Sequence, residues 1–202
     1  ITPVRIDLNE WQTMPCDYKK DNVVPDPKEG NWEPFNIGDR WGKNSDEHRW
    51  FYKRVSVPDE LIGEDLELYI CHTRPEDTLW DPQLMVYVNG KFVKGLDSNH
   101  RYVKIDSTEK EADIHVYAYS AARGAETSWY PQLCVFNRDV ERLYYNILPA
   151  YEVMSYLTED DKEFVDIRTL LNNALNLLNW CEPMSEEFLA SVNAANEYLE
   201  SE

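Results

Sequence analysis

The chain is 202 residues long, 43% hydrophobic, and carries 38 acidic against 20 basic residues for a net charge of −18. That apolar content builds a packed core rather than a disordered chain, while a field so negative repels phosphate backbones and anionic lipid, so neither nucleic acid nor a membrane surface is an expected partner. No apolar run reaches the roughly 20 residues of a membrane span and no charged-then-apolar leader opens the sequence, which leads to the expectation of a cytoplasmic protein.

Taken in chain order, residues 1–157 read as β structure. Arg5 to Trp11 alternates and predicts a first strand, and Pro15, Pro25, Pro27 and Gly30 then mark a long loop. Trp50 to Val57 reads as a strand stopped by Pro58. From Asp65 to Ile70 the residues Leu66, Leu68 and Ile70 face one way and Asp65 and Glu67 the other. Residues 84–88 and 91–93 flank Asn89-Gly90, whose tolerance of positive φ predicts a hairpin with a type I′ turn. Strands follow at 101–105, 113–119 and 129–137, the last as an edge or bulged strand because of Pro131. Short strands without intervening helices predict a sandwich, jelly-roll-like (galactose-binding-like) rather than immunoglobulin-like.

The period changes over residues 158–202, which read as a separate helical segment of two helices. Thr158 is the expected cap of the first, with Phe164, Ile167, Leu170, Leu171, Ala174, Leu175 and Leu178 as its apolar stripe. Pro183 ends it. Ser185 caps the second, whose stripe is Phe188, Leu189, Val192, Ala195 and Leu199.

Tests for chemistry return little. His48, His72, His100 and His115 are scattered without the spacing of a metal motif, so no metal or cofactor is expected here. His115, beside Asp113, reads as a surface strand histidine. Asp77, Asp81 and Asp97 are loop carboxylates that a structural calcium could use, but no spacing singles them out. Cys16, Cys71, Cys134 and Cys181 are too far apart for a zinc ribbon and read as free thiols, two of them in apolar strands. No carboxylate pair stands out among 38 acids, and nucleophile elbows and phosphate loops are absent. No catalytic residue is therefore assigned.

Aromatic residues remain. Trp32, Trp41, Trp50, Trp80 and Trp129 fall in loops or at strand ends, where a ring can stack on a sugar. The competing reading, in which Trp50 and Phe51 fill the core and Trp41 packs a loop or an interdomain seam, is preferred. Trp41, Trp50, Asp97 and Arg101 are the candidate residues of an interdomain or sugar-facing rim.

Four segments carry a resemblance: Trp32 to Phe35, Gly38 to Gly42, Trp50 to Pro58 and Val86 to Arg101, with Leu143 to Tyr145 and the helical stretch through Leu178 behind them. In order and spacing they resemble the N-terminal accessory domain of glycoside hydrolase family 38 α-mannosidases. The resemblance implies a non-catalytic sandwich leading by its helices to a catalytic domain of the same polypeptide. The implied parent is a zinc-dependent, retaining and homo-oligomeric α-mannosidase, whose zinc ligands and nucleophile are expected beyond Glu202. Mannose-containing glycans are the implied ligands, and a free-standing carbohydrate-binding sandwich is the alternative.

Overall fold

The computed structural model describes residues 2–17, 23–71, 82–97, 99–122, 124 and 126–201, with Cys71 described by its backbone. The expectations placed on His72, Asp77, Trp80 and Asp81 lie outside the described residues. The strands are β1 (Val4–Asp7), β2 (Trp11–Pro15), β3 (Glu33–Phe35), β4 (Arg40–Trp41), β5 (His48–Ser56), β6 (Leu66–Cys71), β7 (Gln83–Val88), β8 (Lys91–Leu96), β9 (Tyr102–Ile105), β10 (Glu111–Tyr119), β11 (Thr127–Ser128) and β12 (Tyr130–Val135). Three helices follow: α1 (Arg138–Met154), α2 (Lys162–Asn176) and α3 (Glu186–Ser201). The chain forms two compact units, Val4–Val135 and Phe136–Glu202, the latter with Ile1–Pro3.

The first unit is a mainly β sandwich. A four-stranded sheet runs β1-β12-β6-β9 and a six-stranded sheet β3-β2-β5-β10-β7-β8, with the pair β11-β4 beside them. Every pairing is antiparallel. From β5 to β6 to β7 and from β8 to β9 to β10 the chain passes from one sheet to the other and back, whereas β2–β3 and β7–β8 pair within the six-stranded sheet. The expected strand from Arg5 to Trp11 is in fact two strands: the chain leaves β1 in one sheet and enters β2 in the other, turning through Glu10 at φ 59. Pro131 marks an edge or bulged strand in the sequence, and β12 is interior. The ladder with β1 begins only at Gln132, so the missing N–H of Pro131 falls just past its end, and its carbonyl accepts from Leu8 N at 2.9 Å.

Alternation fills the core. Leu66, Leu68 and Ile70 from one sheet and Phe51, Val55, Ile114 and Val116 from the other are fully buried. Five rings occupy its middle: Phe51 stacks on Trp129 at 4.4 Å, and Trp11, Phe35 and Trp41 pack edgewise or tilted around that pair.

The helical unit holds three helices rather than two. Residues 138–154, expected within the β region, form α1. The sequence carries its signal: Asn137 Oδ1 accepts from Val140 N at 3.0 Å as an N-cap, with Asp139 and Glu141 in the first turn. Pro149 within the helix masks it. For α2 the expected cap is displaced: Thr158 donates its N–H and hydroxyl to Asp161, and the helix begins after Asp161. Ser185 caps α3 as expected, accepting from Phe188 N at 3.1 Å. Leu143, Leu178, Phe188, Val192 and Ala195 form this unit's core.

Candidate functional site

The outer face of the six-stranded sheet is the most chemically distinctive surface of the sandwich. On β5 the even-numbered residues Trp50, Tyr52 and Arg54 point outward. Antiparallel register sets Tyr117, His115 and Asp113 of β10 opposite them, and on β7 Met85 and Tyr87 lie opposite Tyr117 and His115. The result is an aromatic band across the sheet. Trp50 is 5.4 Å from Tyr117 and 5.6 Å from Tyr87, and Tyr87 is 5.6 Å from Phe92. Phe92 joins the band only because of a bulge in the β7–β8 ladder between Val86 and Tyr87. Without that extra residue Phe92 and Leu96, both even-numbered, would share a face; with it Phe92 is 55% exposed and Leu96 is buried.

A charged network borders the band. Arg54 donates from Nε and Nη2 to both carboxylate oxygens of Asp113, each at 2.8 Å, and Tyr52 OH donates to Asp113 Oδ1 at 2.8 Å. The Arg54 hydrogen bonds hold the Asp113 carboxyl below the usual aspartate range. Burial pushes the Tyr52 phenol up, and its bond to Asp113 adds to that. At the other end of the band His48 Nδ1 and Tyr117 OH are 2.5 Å apart, His48 stacks on Tyr119, and Tyr119 OH donates to Asp46.

The structure does not gather the four candidate rim residues into one patch. Trp41 packs on Phe51, inside the sandwich, whereas Trp50 lies on the outer face; they are 3% and 2% exposed, so neither ring has a face open to solvent. Trp129 is fully buried as well, and Trp32 is half-buried beside Tyr52. Asp97 and Arg101 belong to the connection from β8 to β9. The Asp97 carboxylate accepts from the backbone N–H of Asn99 and of His100 at 2.8 Å and from His100 Nδ1 at 2.9 Å. Those bonds, His100 first, hold its carboxyl below the usual range. The Arg101 carbonyl accepts from Ile70 N.

His115 corrects an expectation: it lies on the outward face with Asp113 but is 4% exposed, not a surface residue. Alternation placed it on the right face and gave no sign that a loop covers that face. The aromatic band itself was missed for the same reason, since Tyr52, Tyr87 and Tyr117 are far apart in sequence and only register aligns them. Cys134 is a buried free thiol, as expected from its strand, and burial pushes its pKa up. Among the described residues no group of three or more His, Cys, Asp and Glu is disposed to hold a metal ion, and no helix is long and apolar enough to cross a membrane.

No family model and no curated protein matches the sequence. Among solved structures the chain is similar to a β-glucuronidase from Ruminococcus gnavus in complex with D-glucaro 1,5-lactone, at 10% identity and a TM-score of 0.46, over 65% of this chain and 29% of that one. It is also similar to the Bacteroides uniformis β-glucuronidase, at 13% identity and 0.43, over 66% and 18%. A third is the Lactobacillus rhamnosus β-glucuronidase, at 14% identity and 0.42, over 67% and 29%. The chain thus spans less than a third of those proteins, and at such identity no activity follows from the likeness.

Proposed function

We propose that this chain is a non-catalytic β-sandwich accessory domain of a glycoside hydrolase, and within that class of a family 38 α-mannosidase. One observation carries the reading. The segments that bear the resemblance fall on β3, β4, β5, β7 and β8, and their large side chains build the core and one sheet instead of converging on a pair of carboxylates. A domain of that kind works by packing and shaping. Its expected partner is a catalytic domain of the same cytoplasmic polypeptide, which would supply the zinc, and terminal α-mannosides are the expected substrates.

The test is to read the coding sequence on both sides of this chain, express the whole polypeptide, and assay aryl α-mannoside and aryl β-glucuronide with and without a zinc chelator. Chelator-sensitive α-mannoside cleavage by the whole polypeptide, with no turnover by the 202-residue chain alone, is the expected result. Cleavage of the β-glucuronide only would remove the mannosidase assignment. Turnover by the isolated chain would overturn the non-catalytic reading. Saturable mannoside binding by the isolated chain, with no enzyme encoded beside it, would instead identify a sugar-binding module, for which the solvent-facing Phe92 is the favourable feature.

A further inference from the structure

His115 is 4% exposed although it points to the outer face of the six-stranded sheet. Among the described residues neither ring nitrogen has a hydrogen-bond partner, although a buried polar side chain nearly always finds one. Its ring is 4.8 Å from Tyr52 on β5 and 6.5 Å from Trp50, and Tyr87 flanks it on β7. Residues 23–32 come over it from above the sheet. The Pro25 carbonyl and the Asp26 carboxylate both act on the ring, the former without completing a hydrogen bond. Trp32 lies 5.9 Å from Tyr52, and a Cβ on Gly30 would come within 3.1 Å of Met14 Sδ.

The covering segment is organised within itself. Asp26 Oδ1 accepts from Lys28 N at 2.9 Å, Asp26 O from Glu29 N at 3.0 Å, and Glu29 O from Trp32 Nε1 at 2.8 Å. All three of these bonds lie within the segment and none involves the sheet. We propose that His115 is a pH-sensitive latch: neutral, it lets residues 23–32 seat on the outer face of the six-stranded sheet, and protonated, it releases them.

The reason is what the site offers an imidazolium. Two N–H donors and a positive charge would need partners. From its own strand Asp113 and Tyr117 are near, from β5 Tyr52 and, through Asp113, Arg54, from β7 Tyr87, and from the covering segment Asp26. Asp113 already accepts from Arg54 twice and from Tyr52, and Asp26 accepts from Lys28. The two carboxylates attract the charged ring, but burial outweighs them and holds its pKa below the ordinary 6.5. A histidine whose pKa is lowered in the closed state binds fewer protons there than in the open state. The closed state therefore weakens as pH falls through 6.5 and levels off below the lowered value, by at most about tenfold per pH unit for one proton.

Hydrogen–deuterium exchange of the whole chain between about pH 5 and pH 7.5, corrected for intrinsic exchange, tests this. Peptides within residues 23–32 should lose protection as pH falls, up to about tenfold per unit, while peptides from β6 and β12 keep theirs. In His115→Gln and His115→Phe the same peptides should show no pH dependence; reading both variants guards against one of them folding badly. A pH-independent wild type overturns the latch. So does loss of protection in β6 and β12 together with residues 23–32, because the opening is then global. Dependence that survives in both variants also overturns it, and assigns the effect to another group.

Discussion

Asp113 shows how one side chain ties the outer sheet face together, because Arg54, Tyr52 and His115 all refer to its carboxylate. Its pKa is lowered in the folded state, so its contribution is complete above the ordinary aspartate value of 3.8 and is lost as pH falls through the lowered one. Urea denaturation of the wild type should accordingly show a falling midpoint between about pH 5 and pH 3, and Asp113→Asn, already deprived of that contribution, should show a smaller fall. An equal fall in both would assign acid sensitivity to other carboxylates. The tryptophans teach the opposite lesson at the same scale. Trp41 and Trp50 are legible as important from their size alone, but only packing partners decide whether a ring faces a ligand or the core.

Among elements, the turn of the β7–β8 hairpin was readable. Asn89 and Gly90 have φ of 50 and 75, as a type I′ turn demands, and Asn89 Oδ1 also accepts from Asp113 N at 2.8 Å. Its bulge was not readable, since nothing in Lys91 to Leu96 marks Val93 as supernumerary. Gly124 is a sharper case of a position only the structure explains. At φ +70 an added Cβ would lie 2.7 Å from the Lys43 carbonyl oxygen, a backbone atom that cannot swing aside. Gly124→Ala should cost roughly 2 kcal/mol or more, from the left-handed backbone and the overlap together. Equilibrium unfolding at neutral pH measures it, and a neutral result would mean that the segment around residue 44 yields. Helix α1 was missed although Asn137 and the acidic first turn announce it, because Pro149 argues locally against a helix that tertiary packing of Leu143 supports.

At the scale of the whole molecule, each unit has its own core. In the sandwich Trp129 is the common neighbour of Trp11, Phe35 and Phe51, so truncating it removes contacts to three strands of the six-stranded sheet at once. Trp129→Ala should destabilise the sandwich by about 3–5 kcal/mol, read as a loss of exchange protection in β5 and β12. A cost below about 1 kcal/mol would mean the core repacks around the cavity. In the helical unit a buried polar pair specifies packing. Asn196, fully buried, donates to the Asp139 carbonyl and accepts from Asn146, each at 3.0 Å. No periodicity argument finds such a residue, because a lone asparagine on an apolar stripe reads as a defect until its partners on α1 are seen.

By itself the sequence determined the class: alternating apolar residues and turn dipeptides dictate short antiparallel strands, and the 3.6-residue stripes dictate helices, because both patterns follow from local backbone geometry. It also determined the absence of recognisable catalytic spacing. Tertiary structure decided which sheet each strand joins, which faces of that sheet are covered, and which side chains meet across strands. Those outcomes depend on register between residues distant in sequence, as Tyr52, Tyr87 and His115 are, and on a loop folding back over them. A burial decided at that distance leaves no periodic trace along the chain.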